Sequence, residues 1–249
     1  MSADPLSLLL KSFRLPTMAE IFERTMQQAE QQGWGYRKFL EYLCESEAQD
    51  RRERKLERLL RQSGLPSGKT LGNLEEAKMP AKVRRLLPGL LDGGFVERAE
   101  NVLAFGLPGR GKSHFLAALG KELILRHNYA VLFTPTFKLV QQLLSAKREL
   151  RLESALEKLD NYDVVILDDI GYVQQNREEM DVLFTFLAER YERRSVMISS
   201  NLVFSKWDQI FKDPMTTMAA IDRLVHHAII LEFVGITLRG PQDSTKGGG

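Results

Sequence analysis

Apolar and polar residues alternate with two different spacings along this chain, and the spacing changes near residue 66. Before that point apolar side chains recur at helical spacing, as Phe39 and Leu43 do, and no strand pattern is present. A stretch rich in serine, proline and glycine, residues 63–68, then ends the helical pattern. These features predict a small all-helical N-terminal domain over residues 1–66.

Short apolar runs alternate with helical patterns from residue 101 onward. A continuous apolar run such as residues 164–167 suits a strand that is covered on both faces. The alternation predicts an α/β domain over residues 67–240, with a doubly wound parallel sheet and helices on both faces, before a flexible tail over residues 241–249. The predicted strands are residues 101–105, 130–134, 163–168, 196–200 and 228–233.

Composition narrows the class of protein without naming a function. Charged residues make up 27% and hydrophobic residues 43% of the 249, which is typical of a soluble globular protein. No apolar run approaches membrane length, so we expect a cytoplasmic protein without a membrane partner. The net charge is only +2, and nucleic-acid binding would therefore require local clusters of basic residues. The single cysteine, Cys44, excludes an internal disulfide, and its place in an apolar stripe predicts a small core residue.

The segment between the first predicted strand and the next helix carries recognisable chemistry. It reads Gly-Leu-Pro-Gly-Arg-Gly-Lys-Ser, which has the G-x-x-x-x-G-K-S spacing of a phosphate-binding P-loop. In such a loop, backbone N–H groups surround a phosphate, the lysine contacts the β and γ oxygens, and the serine hydroxyl ligates Mg²⁺. A chance match on a glycine-rich turn is the alternative, and the strand and helix on either side disfavour it. The predicted nucleotide contacts are Gly106, Pro108, Gly109, Arg110, Gly111, Lys112, Ser113 and His114.

Two carboxylates end the third predicted strand. Asp168 is expected at the C-terminal end of the strand, beside the P-loop, where it would hold Mg²⁺ together with Ser113. Asp169 is placed to polarise an attacking water molecule. A strand that merely ends in an aspartate-rich turn is the alternative.

The fourth predicted strand also ends in polar residues, of which Asn201 is the last. In P-loop folds with an inserted strand, this strand lies between the P-loop strand and the acidic strand, which gives the sheet order 5-1-4-3-2. Asn201 would then point at the γ-phosphate and orient the attacking water. The alternative is that Asn201 caps the following turn.

The order of these motifs resembles that of AAA+ ATPases of the bacterial initiator and helicase-loader group. Within that group the chain is most similar to the IstB family, the helper ATPases of insertion-sequence transposition. The likeness runs from about Leu6 to Arg239. Beyond the P-loop it depends on residues 117–120, 167–172, 189–195, 199–202 and 222–227.

The resemblance implies that ATP and Mg²⁺ are the cofactors and that a homo-oligomer holds ATP at its subunit interfaces. It also implies binding to duplex target DNA and the recruitment or stimulation of an IstA-like transposase. The runner-up is a replicative helicase loader of the DnaC type. By position, Lys112, Ser113 and Asp168 would bind ATP and Mg²⁺; Asp169, Asn201 and Arg223 would be the catalytic carboxylate, the polar sensor and the arginine finger; and Arg239 would be a second arginine sensor.

Three departures from the family pattern refine these expectations. Arg110 stands where many relatives have a small or β-branched residue, which a loop that works through its backbone should tolerate. Asp169 is one methylene shorter than the usual glutamate, so we expect slow, regulatory hydrolysis. Little chain follows Arg239, so the C-terminal helical lid is expected to be absent. For Arg223 a surface ion pair with Asp222 stays an open alternative.

Two basic clusters are candidates for DNA contacts through phosphates. Acidic residues interleave with both, so a solvated helix face is the alternative for each. The clusters are Lys147, Arg148 and Arg151 between the second and third strands, and Arg51, Arg52 and Lys55 in the N-terminal domain. The four histidines show no metal-ligand spacing along the sequence.

Overall fold

A computed structural model of the chain describes residues 4–75, 79–170, 177–202 and 222–234. The chain divides into two compact units, Met1–Arg58 and Leu59–Gly249. The domain boundary near residue 66 stays a prediction. Arg239, the question of a C-terminal lid and the tail over residues 241–249 lie outside the described residues.

The first unit is helical, as predicted. It holds α1 (Pro5–Ser12), α2 (Pro16–Gln31) and most of α3 (Tyr36–Gln62). Glu47 of α3 caps the start of α2, since one of its carboxylate oxygens accepts the backbone N–H groups of Thr17 at 2.8 Å and Met18 at 3.2 Å. A carboxylate is favourable at the positive end of a helix dipole, so this contact ties the two helices together.

The predicted burial of Cys44 is wrong. Leu43 beside it is only 4% exposed, whereas Cys44 is exposed and Leu40 is 55% exposed. When a helix of 27 residues packs against shorter helices, only a narrow stripe of its surface is buried. Cys44 falls on the edge of that stripe and lines an open groove of the first unit.

The second unit has the predicted alternation of strands and helices, preceded by a 3₁₀ turn at Leu71–Asn73. No helix in the described ranges is both long enough and apolar enough to cross a bilayer. The helices are α4 (Ala81–Leu91), α5 (Gly94–Glu97), α6 (Lys112–His127), α7 (Thr136–Arg148), α8 (Leu152–Asp160) and α9 (Arg177–Arg190). The strands are β1 (Asn101–Phe105), β2 (Val131–Pro135), β3 (Val164–Asp168), β4 (Ser195–Ser200) and β5 (Ala228–Glu232).

All five strands are parallel and lie in the order β2-β3-β4-β1-β5. This is the predicted order read from the other edge, so the prediction is confirmed. The register places Phe105 beside Ser200 and Leu167 beside Ile198. The polar ends of β3 and β4 therefore meet the loop that follows β1.

Helices cover both faces of the sheet. Val165 and Leu167 of β3 belong to a buried cluster with side chains of α7 and α9. Ile166, between them, points to the opposite face and lies against Gly120 of α6. A Cβ on Gly120 would come within 2.6 Å of the Ile166 Cδ1 atom, so this glycine allows α6 to approach the sheet.

A buried arginine links the end of α9 to α8, to the segment just before β3 and to β4. Arg190, at the end of α9, is 3% exposed, and burial lowers the pKa of its guanidinium to about 10. Its Nη1 and Nη2 atoms donate hydrogen bonds of 2.9–3.2 Å to four backbone carbonyls. These carbonyls are those of Leu159, Tyr162, Asp163 and Ser195.

Candidate nucleotide-binding site

The loop between β1 and α6 is shaped by glycines. Gly106 has a φ of 150°, and a Cβ there would lie 2.4 Å from the carbonyl oxygen of Phe233, so no larger residue fits. Gly111 has a φ of 88° and caps α6, which begins at Lys112. The loop thus brings backbone N–H groups and a helix N-terminus to one place, as an anion site requires.

A cavity of about 420 Å³ opens over this loop. It gathers most of the residues that the sequence predicts for nucleotide and magnesium binding, together with two that the sequence analysis missed, Lys69 and Ser199. Gly106 contributes its carbonyl beneath the cavity instead of lining it. The predicted residues that line the cavity are Pro108, Gly109, Arg110, Gly111, Lys112, Ser113, His114, Asp168, Asp169 and Asn201.

Lys112 joins the loop to β4. Its Nζ donates to the carbonyl of Gly106 at 2.5 Å, to the carbonyl of Leu107 at 3.0 Å and to the Asn201 Oδ1 at 2.7 Å. The residue is only 6% exposed, so its charge is held in a position of low solvent screening. A phosphate oxygen bound over the loop would share or replace one of these acceptors.

Ser199 and Asn201 hold the two carboxylates in place. The Ser199 hydroxyl donates to Asp168 Oδ1 at 2.6 Å and accepts the backbone N–H of Asp169 at 2.8 Å. Asn201 Nδ2 donates to Asp169 Oδ1 at 2.9 Å. Because its oxygen also accepts from Lys112, the Asn201 amide bridges the P-loop lysine and the second carboxylate.

Asp169 sits in an unusual environment for an aspartate. Its φ is 62°, in the left-handed region, and its side chain is partly buried. Burial raises the pKa of Asp169 and the neighbouring Asp168 carboxylate raises it further, while Lys112 and the Asn201 hydrogen bond oppose the shift. A raised carboxyl pKa makes the carboxylate a stronger base, which is the property that general-base catalysis uses.

The residues around the cavity suit a magnesium nucleotide. Ser113 and Asp168 line the cavity with a hydroxyl and a carboxylate, and oxygen atoms are the ligands that Mg²⁺ prefers. Arg110 carries a buried Nη1 atom with no hydrogen-bond partner among the described residues, a donor that a bound phosphate could satisfy. The geometry therefore fits both ATP and Mg²⁺.

Comparison with known proteins agrees with this geometry. Residues 8–245 match the sequence profile of the IstB-like ATP binding protein family. The chain belongs to this family. It is 43% identical to a putative insertion sequence ATP-binding protein of Sinorhizobium fredii, over 91% of this chain and 76% of the relative. It is 37% identical to the insertion sequence IS21 putative ATP-binding protein of Pseudomonas aeruginosa, over 94% of this chain and 88% of the relative.

Solved structures show the fold of this IstB-like protein to be that of DnaC and DnaA AAA+ proteins. The crystal structure of the DnaC helicase loader matches with a TM-score of 0.52 and 16% identity, over 61% of this chain and 90% of the loader. AMPPCP-bound DnaA from Aquifex aeolicus matches with a TM-score of 0.55 and 19% identity, over 69% of this chain and 51% of DnaA. The predicted P-loop AAA+ domain and the IstB resemblance are both confirmed.

The segment just before the 3₁₀ turn at Leu71–Asn73 also contributes to the site of this IstB-like protein. Lys69 lines the cavity, and the His114 Nε2 lies 3.0 Å from the backbone carbonyl of Thr70. His114 thus links the start of α6 to residues 69–70. Sequence reasoning missed Lys69 because it lies about forty positions before the P-loop and belongs to no recognisable motif.

Arg223 lies apart from this cavity. It lies in the helical segment over residues 222–225, and its guanidinium carbon lies 4.9 Å from the centre of the Phe184 ring of α9. Within the described residues it neither lines the cavity nor forms an ion pair with Asp222. Among the residues that the structure describes, Arg223 therefore packs against α9 and does not complete the cavity of its own chain.

The two predicted DNA clusters differ in how their charges are used. In the first cluster Lys147 lies 3.8 Å from Asp181, Arg148 lies 3.4 Å from Glu178, and Arg151 is paired with Glu149. In the second, Arg51 pairs with Glu47, Arg52 donates to Gln49, and Lys55 is exposed. The second cluster lines a groove of about 1180 Å³ in the first unit, and the first cluster lies on and after the end of α7.

Proposed function

We propose that this IstB-like protein hydrolyses ATP slowly and uses the ATP-bound state to assemble on duplex DNA and to stimulate the transposase of an insertion sequence. The observation that carries the proposal is the bridge from Lys112 through the Asn201 amide to Asp169 inside the P-loop cavity. The curated relatives support it, because they are named as ATP-binding proteins of insertion sequences.

The catalytic step follows from the hydrogen bonds around Asp169. Asn201 fixes one oxygen of the Asp169 carboxylate, which leaves the other to accept a proton from the attacking water. Lys112 would stabilise the charge that develops on the phosphate oxygens. Ser113 and Asp168 would hold Mg²⁺, which would supply positive charge to offset the negative charge of the phosphates.

Arg223 would act on the nucleotide of a neighbouring subunit. In the described part of the chain the guanidinium stacks on Phe184 and does not line the cavity of its own chain, which supports a role toward a second copy. An arginine supplied from outside a P-loop site raises the rate of phosphoryl transfer by a factor of about 10³ to 10⁵. ATP would then sit at the subunit interface and favour a homo-oligomer, and hydrolysis would loosen it.

The groove of the first unit is the better of the two candidates for DNA contact. Glu47, the acid that lines it, is 4% exposed, and its oxygens are occupied by Arg51, Arg54 and backbone N–H groups of α2. The positive charge of the groove is therefore available to phosphates, which binding without base readout requires. The basic residues that line it are Lys11, Arg14, Arg51, Arg52, Arg54, Lys55 and Arg58.

Light scattering with a non-hydrolysable ATP analogue and duplex DNA tests the proposal. We expect ATP-dependent assembly on DNA that Lys112→Ala abolishes, because the variant loses the cation beneath the phosphates. Lys138→Ala is the matched control, since Lys138 is an exposed lysine of α7 outside the cavity. Assembly that survives Lys112→Ala would count against the proposal. Preference for single strands and for a helicase would instead support the helicase-loader alternative.

A further inference from the structure

Three side chains with metal-ligand chemistry meet outside the nucleotide site. Glu192 lies in the turn after α9, and His226 and His227 lie in the turn before β5. One ligand atom from each residue lies within 4.8 Å of the other two. The His227 Nε2 and the Glu192 Oε1 are 3.7 Å apart, and the two imidazole rings are 4.3 Å apart between centroids.

The local backbone brings these residues together. Glu192 has a φ of 55°, a left-handed conformation that turns the chain after α9. The backbone N–H of His226 donates to the carbonyl of Asp222 at 2.9 Å, which holds the second turn. The Tyr191 hydroxyl lies 3.2 Å from the His226 Nδ1 and so orients that ring, as partners behind metal-binding histidines do.

We propose that Glu192, His226 and His227 form a binding site for a divalent transition metal, with Zn²⁺ as the best fit. Two imidazoles and one carboxylate are a recurring set of zinc ligands, and imidazole disfavours Mg²⁺ and Ca²⁺. Zinc bonds of about 2.0–2.1 Å in a tetrahedral arrangement require ligand atoms roughly 3.3 Å apart. The three side chains are exposed, and their ligand atoms already lie within 4.8 Å of one another, so only small side-chain adjustments would be needed.

A simple ion pair between His227 and Glu192 is the competing explanation for the cluster. An ion pair needs no contribution from His226, whereas a metal site needs all three ligands. The three protein ligands also leave a fourth position of zinc open to water or to a donor from another molecule. A metal ion bound here would link the turn after Arg223 to the turn after α9. The metal site does not depend on the proposed function.

Titration of the full chain with Co²⁺ and Zn²⁺ tests the site. After treatment with a chelator, the protein is kept in excess Mg²⁺. The Mg²⁺ competes with Co²⁺ and Zn²⁺ for the oxygen ligands of the P-loop site. We expect one equivalent of Co²⁺ to give the visible absorption of a low-symmetry site, and Zn²⁺ to displace it. His226→Ala, His227→Ala and Glu192→Gln should each weaken Zn²⁺ binding by about tenfold or more in calorimetry.

Two matched variants make the result specific. His127→Gln changes a histidine whose ring nitrogen contacts the carbonyl of Leu91 in another part of the unit, and Cys44→Ser removes the exposed thiol of the first unit. Both should bind Zn²⁺ as the unmodified protein does. The proposal is overturned if the unmodified chain takes up no Zn²⁺, if His226→Ala binds with unchanged affinity, or if Cys44→Ser loses the metal.

Discussion

At the residue scale, Asn201 is the centre of the candidate site. Its amide oxygen accepts from the Lys112 ammonium and its amide nitrogen donates to the Asp169 carboxylate, so one side chain sets the positions of both charged groups. From the sequence alone, Asn201 could either orient the attacking water or cap the following turn. These bonds favour the first interpretation.

The pH dependence of hydrolysis tests this role of Asn201. Burial and Asp168 raise the pKa of Asp169, and the Asn201 hydrogen bond lowers it. Asn201→Ala removes the bond that favours the carboxylate, so the pKa of Asp169 should rise further. Because Asp169 must be deprotonated to accept a proton, the acidic limb of the rate–pH profile should move to higher pH in the variant.

The matched control for this profile is Asn161→Ala. Asn161 is exposed and lies outside the cavity, so its loss should leave the profile in place. An acidic limb that is identical in Asn201→Ala and in the unmodified protein would remove Asn201 from the support of Asp169.

At the element scale, the strands and the P-loop were predictable and the contacts between distant elements were not. Each strand is a local apolar run, and the predicted limits differ from the structure by one residue at most at either end. Lys69 and Ser199 reach the site only through the packing of segments far apart in the chain. The cluster of Glu192, His226 and His227 was missed for the same reason, because Glu192 lies more than thirty positions before the two adjacent histidines. Of these residues only Ser199 could have been found from the sequence, because the predicted strand order puts β4 beside β3 and so places Ser199 next to Asp168.

The approach of α6 to the sheet depends on Gly120. Gly120→Ala would place a methyl group 2.6 Å from the Ile166 Cδ1 atom, and overpacking of this kind costs about 1–3 kcal/mol of unfolding free energy. Gly89→Ala in α4 is the control, since a Cβ there meets nothing within 4 Å, and it should leave stability unchanged or raise it by about 0.4–1 kcal/mol. Denaturant unfolding measures both. Equal stability of the two variants would contradict the close packing of α6 on β3.

Arg190 supports the elements at the other end of the sheet. Arg190→Met removes a buried cation that binds four carbonyls, so we expect the free energy of unfolding to fall by about 3 kcal/mol or more. Arg193→Met is the control, because the Arg193 side chain is 56% exposed and its ion pairs are worth less than about 1 kcal/mol. Urea midpoints compare the two, and a loss no larger for Arg190→Met would show that the buried guanidinium contributes little.

At the scale of the whole molecule, the proposed DNA contacts lie in the groove of the first unit. The double variant Arg52→Ala and Lys55→Ala should weaken duplex binding about equally for all sequences. It should also reduce the slope of log affinity against log salt by about two, one for each lost phosphate contact.

The comparison for DNA binding is the double variant Lys147→Ala and Arg148→Ala. These two side chains already pair with acids, so their loss should change the salt slope much less. Fluorescence anisotropy over a range of salt concentrations measures both. A larger effect at Lys147 and Arg148 would move the DNA path to the end of α7.

The central claim is that two copies of the chain share one ATP site, and mixing two inactive variants tests it most directly. Asp169→Asn lacks the base and Arg223→Ala lacks the proposed finger, so each variant alone should hydrolyse ATP poorly while binding it normally. In a random equal mixture, roughly a quarter of the interfaces combine the intact Asp169 of one variant with the intact Arg223 of the other. Only these interfaces have a complete site. We predict ATPase activity well above the sum of the two variants measured alone. Activity no greater than that sum, or full activity of Arg223→Ala by itself, would contradict a shared site.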